Sequence, residues 1–115
     1  MSKFKTFLNK KLNTNNISQN QFAKLIGATP TYVGQLVNGT KPPPDRELQI
    51  KIAESLNLDK YEREKYFDNI AKEKNDIPSD IYKIILENQM RWNEIREIIE
   101  KEIKKWVQIY KQKQI

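Results

Sequence analysis

Ser18–Gly39, SQNQFAKLIGATPTYVGQLVNG, is the stretch on which the fold turns. Ser18 is a good helix N-cap with Gln21 three residues on, the spacing of a reciprocal capping box, and Ile17 ahead of the cap can staple onto Phe22. Phe22, Leu25 and Ile26 supply an inward face, and Ala23 is small enough to let a second helix approach. Gly27 can end this helix in left-handed backbone at little cost. Thr29 then caps a second helix whose first position, Pro30, needs no amide hydrogen. Val33, Leu36 and Val37 recur at helical spacing, and Gly39 stops the helix after Asn38. Two short helices joined by a tight turn are predicted.

Outward from this stretch the chain stays helical. Phe4, Phe7, Leu8 and Leu12 predict an amphipathic helix over residues 3–13, whose other face carries Lys3, Lys5, Lys10 and Lys11. After Gly39, the three prolines at 42–44 forbid helix and stiffen the exit. Asp45 caps a fourth helix with Leu48, Ile52, Ala53 and Leu56 inside. Asp59 and Glu62 form a second capping box, opening a fifth helix with Tyr66, Phe67, Ile70 and Ala71. Lys74–Pro78 reads as a boundary, placing one domain at residues 1–75 and a helical oligomerisation or interaction region at 76–115.

In that second region Trp92, Ile95, Ile99, Ile103, Trp106 and Tyr110 fall three or four residues apart, a continuous helical stripe with charged residues on the outside. Residues 80–113 form one bent helix or a hairpin of two, with a break expected near Asn88. The stripe either folds back as intramolecular core, pairs with another copy, or takes an unlike partner. Its breadth exceeds what one short helix pair hides, which favours a dimer interface.

The 115 residues contain neither cysteine nor histidine, which removes disulfides, thiolate metal sites and the commonest general base. No metal or cofactor is expected. The carboxylate pairs Asp45/Glu47 and Glu62/Glu64 sit in first turns, where acids complement the helix dipole, and no Gly-rich phosphate loop is present, so an enzyme is not expected. The absence of a long apolar run or a signal-peptide pattern points to a cytoplasmic protein without a membrane. The net charge of +6 is unevenly spread. Residues 1–44 hold six lysines and no carboxylate, whereas residues 45–115 hold fifteen basic and fifteen acidic residues. A polyanion facing the first segment gains from counterion release.

The capped pair of helices resembles the helix-turn-helix of the lambda repressor–Cro (Xre) family. Gln19, Ala23, Gly27, Val33, Leu36 and Asn38–Gly39 carry the likeness, which continues through Lys41 to Ile52–Leu58 and covers roughly residues 4–72. It implies an all-α fold: a five-helix lambda repressor-like DNA-binding domain with a C-terminal helical extension. It also implies double-stranded DNA as partner, with the third helix in the major groove. The exposed positions Pro30, Thr31, Gly34 and Gln35 would then read bases. Gln35 is suited to adenine, Thr31 to a base edge or a thymine methyl, and Pro30 to apolar contact. Gln19, Tyr32, Asn38 and Lys41 would hold phosphates, with Tyr32 equally suited to the core. Operators of this family are usually two-fold, so a homodimer is implied. The expected function is sequence-specific transcriptional regulation, as a repressor of a phage or other mobile element. The alternative is an interaction module, an antitoxin or coregulator, whose C-terminal helices hold a protein; an antirepressor is another candidate for that surface.

Overall fold

In the computed structural model, which describes residues 2–113, seven α-helices follow one another and the described residues include no strand. The first five start where a polar side chain takes up an N–H that the helix leaves over. Ser2 Oγ accepts from Lys5 N (3.1 Å) at the head of α1, Lys3–Thr14. Ser18 and Gln21 form the expected reciprocal box on α2, Gln19–Ile26, with bonds of 3.1 and 2.9 Å. Thr29 Oγ1 accepts from Tyr32 N (3.1 Å) ahead of α3, Pro30–Asn38. Asp45 caps α4, Arg46–Ser55, and Asp59 with Glu62 boxes α5, Lys60–Lys74. Gly27 and Gly39 leave α2 and α3 with φ of 68° and 81°. Three asparagines, Asn16, Asn57 and Asn75, adopt left-handed backbone after α1, α4 and α5, the non-glycine type that tolerates it best.

The side chains that these helices turn inward form one core. Leu8, Phe22, Ile26, Val33, Leu36, Ile52, Phe67 and Ile70 are its largest fully buried members. α3 packs on α2 and α1, α1 on α5, and α4 on α2 and α5. Leu25 is the exception to the expected inward set: it is 56% exposed. The buried residues of α2 are Phe22, Ala23 and Ile26. At about 100° of rotation per residue, they span an arc that leaves Leu25 on its outer side. Ala23, expected to give clearance, is itself buried in the core.

A buried polar knot ties the proline exit to the rest of this unit. Gln49, on α4, is 4% exposed. Its Nε2 donates to Pro44 O (2.8 Å), its Oε1 accepts from Ser79 Oγ (2.6 Å), and its backbone O accepts from Tyr66 OH (2.8 Å). Burial pushes the Tyr66 phenol well up, so it stays a donor. Lys74 Nζ donates to Pro43 O and Pro44 O (3.1 and 3.2 Å). The proline carbonyls, which no helix can use, thereby gain partners. Arg46 reaches Ile77 O (2.9 Å) and Asp76 Oδ1 (2.7 Å). The Ile77 N–H and then Arg46 hold the Asp76 carboxyl below its usual range.

The described chain divides after Ile81 into two units. α6, Ser79–Glu87, runs across that division. In the second unit it stops at Asn88, whose Nδ2 donates to Ile84 O (2.6 Å), and one 3-10 turn over Gln89–Arg91 leads into α7, Trp92–Lys113. The break near Asn88 is therefore present, and two helices flank it. Trp92 Nε1 donates to Ile85 O across it (2.6 Å). No residue of α7 is buried.

Candidate nucleic-acid interface

α3 is short, so its presentation depends on what grips its two ends. At its start, Thr29 holds the Tyr32 N–H and Pro30 occupies the first helical position. At its end, Asn9 Nδ2, on α1, donates to Val37 O (2.8 Å) as well as to its own Lys5 O (2.9 Å). Lys5 lies against Gly39, where an added Cβ would stand 3.0 Å from Lys5 Cδ. Gly39 therefore serves both a left-handed turn and a close approach of α1. Val33 and Leu36 are fully buried beneath, which fixes the rotation of α3 about its axis.

The opposite face of α3 carries the predicted positions. Pro30, Thr31 and Asn38 are exposed; Tyr32, Gly34 and Gln35 are half-buried. Gln35 uses its backbone O to accept from Lys41 N (3.2 Å), which leaves the side-chain amide with both donor and acceptor capacity. Thr31 is one turn before it, so the two lie on one side of the helix. Asn38 Oδ1 accepts from Thr40 N (2.9 Å) and from the Thr40 hydroxyl. Its Nδ2 hydrogens remain as donors beside exposed Lys41. Tyr32 packs against the core; burial first, then the negative charge of Asp45, raises its phenol, which stays protonated at neutral pH. A protonated phenol remains able to donate to an anion.

Gln19 stands at the first position of α2, and its Oε1 lies 3.4 Å from where a Cβ on Gly34 would be. α2 and α3 thus meet on the exposed face through a carboxamide laid over a glycine. The first-turn N–H groups of Gln19 and Asn20 have no acceptor within the helix and lie at its positive end. The arrangement brings Gln19 to α3, with Asn38 and Lys41 at the far end of that helix. A convex helix face flanked at both ends by N–H donors and a lysine suits a grooved polyanion. Among the described residues no cluster of acidic side chains could hold a metal ion.

Two residues outside the predicted set matter to this surface. Asn9 anchors α3; an asparagine inside a helix hints at a side chain with a partner, but the sequence does not say which. Lys51, on α4, brings its Nζ within 3.7 Å of the Cβ position of Gly27, adding a cation beside the turn between α2 and α3. In the sequence Lys51 is one of fifteen basic residues balanced by fifteen acidic ones over 45–115, so nothing there sets it apart.

Gly34 allows a direct check of how α3 is held. A Cβ there meets only the flexible end of Gln19, at ordinary contact distance. Gly34→Ala is expected to stabilise the protein by about 0.5–1 kcal/mol through helix propensity. Thermal unfolding measures it. A variant that melts below wild type would show that the Gln19 carboxamide cannot yield.

A family model described as helix-turn-helix matches residues 8–62, which span all of α2, α3 and α4. No curated protein and no solved structure matches the chain.

Proposed function

Because residues 8–62 belong to the helix-turn-helix family of the Xre, lambda repressor-like kind, we propose that the protein is a sequence-specific DNA-binding regulator that reads an operator as a homodimer. In this reading residues 1–75 bind DNA and residues 76–115 hold two copies together. α3 enters the major groove, where Gln35, Thr31, Pro30 and Gly34 face base edges. Gln19, Tyr32, Asn38 and Lys41 hold phosphates. Two copies place their α3 helices in successive major grooves roughly 34 Å apart.

The observation that carries the proposal is the exposed polar face of a helix clamped at both ends by Thr29 and Asn9. A binder that read only charge would not need its presenting helix fixed in this way. The lysine-rich, carboxylate-free segment 1–44 supplies attraction without base preference. The most direct output of such a binder is repression, by occupying a promoter. A phage or other mobile element as source fits the excess of lysine over arginine.

Selection from a random duplex library at near-physiological salt tests the proposal. The expected result is an inverted repeat with half-sites one helical turn apart. A library that emerges unenriched would remove sequence-specific reading. It would favour the second reading, an antitoxin, coregulator or antirepressor target whose main partner is a protein. That alternative draws on the second unit, where Trp106 and Tyr110 are 68% and 65% exposed.

A further inference from the structure

α7 carries its apolar stripe in an eleven-residue repeat. Trp92, Ile95 and Ile99 recur as Ile103, Trp106 and Tyr110, each eleven positions on. That period gives about 3.67 residues per turn, close to the natural helix, so the stripe runs nearly straight down one side. Most of it is exposed: Ile99, Ile103, Trp106 and Tyr110 all keep at least two fifths of their surface in solvent. An uncovered stripe of this length is too large to be left to water.

Charge decides what covers it. The N-terminal half of α7, residues 92–102, carries Glu94, Glu97, Glu100 and Glu102 against Arg96 and Lys101, a net −2. The C-terminal half, residues 103–113, carries Lys104, Lys105, Lys111 and Lys113 with no carboxylate, a net +4. Two copies side by side in the same direction would set four lysines against four lysines. Two copies in opposite directions set each basic half against the acidic half of the other. Shape agrees with charge. Around the acidic half, Ile85, Trp92, Ile95, Arg96, Ile99 and Glu100 line an open, mainly apolar hollow of about 480 Å³. The large exposed aromatics, Trp106 and Tyr110, lie on the basic half. Within one straight helix they cannot reach that hollow, but in an antiparallel pair a second copy's Trp106 and Tyr110 fall beside it. Arg96 in the wall offers an incoming indole a cation–π contact.

We infer that the second unit is an antiparallel homodimerisation element, in which the basic, aromatic half of one α7 fills the acidic hollow of the other. This rests on the dimeric reading above and adds its direction. The 22-residue α7 is roughly 33 Å long, so an antiparallel pair puts the two N-terminal ends of α7 about that far apart.

The absence of cysteine makes direction measurable in the whole protein. Spin labels are placed on single-site variants Glu94→Cys and Lys111→Cys, both at exposed positions. Sedimentation first confirms the assembly state. Antiparallel pairing predicts like-labelled dimers with separations above roughly 20 Å at either site, from the axial rise per residue, and a much shorter distance in dimers mixing the two labels. Dimers with short like-site distances at both positions would overturn the direction and leave the dimer standing. Dimers with long distances in all three samples would place the contact elsewhere. A monomer at tens of micromolar would sink this inference and the dimeric part of the reading, without touching the library selection, which enriches half-sites from monomers.

Discussion

Thr31→Ala/Gln35→Ala is expected to erase the preference of the protein for its selected site while leaving it folded. A glutamine that pairs bidentately with adenine contributes about 1–3 kcal/mol of discrimination, a factor of roughly five to more than a hundred. Thr31 adds a smaller share from the same side of α3. The fold has little to lose. Thr31 is exposed, and the bond that Gln35 makes is through its backbone O, which the substitution keeps. Stability should therefore stay within about 0.5 kcal/mol of wild type. Competition titrations on the selected duplex and on a scrambled one measure the ratio. Lys41→Ala provides the contrast: a lost phosphate contact weakens both duplexes alike and lowers the salt slope by about one. If the double variant keeps the full ratio, α3 does not read bases through these side chains, and shape readout or another element must replace it.

How far this surface could be read from the sequence depends on the range of each interaction. Local devices were legible. The Ser18–Gln21 box, the Thr29 cap with Pro30, the left-handed glycines and the Asp59–Glu62 box act within one turn, and each appears at its predicted residues. The break at Asn88 is local as well, since asparagine competes for the helix carbonyls around it. What eluded the sequence is set by tertiary geometry. Leu25 fits a helical period, yet which arc of α2 faces inward depends on where α3 and α4 sit. Asn9, Lys51 and Gln49 act on partners 28, 24 and 30 residues away in the chain, Val37, Gly27 and Ser79. No window of sequence contains both ends of such a contact. Gly34 was expected among the exposed positions of α3. Its neighbour is Gln19, so part of the space over it is taken by a side chain of the unit itself.

Phe67→Ala should have the largest effect on the fold, and its reach shows how a residue far from α3 bears on how that helix is held. Phe67 is fully buried, with its ring 4.9 Å from that of Tyr66 in an edge-to-face pair and the Arg63 guanidinium 5.3 Å over it. Tyr66 in turn lies 5.6 Å from Phe7 of α1 and bonds Gln49 O of α4. α1 then clamps α3 through Asn9. Emptying the Phe67 site removes about 3–5 kcal/mol, a large share of the roughly 5–15 kcal/mol that holds such a unit folded. Its melting temperature should fall by about 15–30 °C, from the few degrees per kcal/mol usual for domains of this size. The two tryptophans, Trp92 and Trp106, both belong to the second unit. Far-ultraviolet circular dichroism follows all the helices, and tryptophan fluorescence follows the second unit alone. The dichroism transition should shift in Phe67→Ala while the fluorescence transition stays in place. A variant that melts within 5 °C of wild type would mean that the cavity collapses without cost. A fluorescence transition that moves with the dichroism would mean that the second unit draws its stability from the first, and not from a second copy paired along α7.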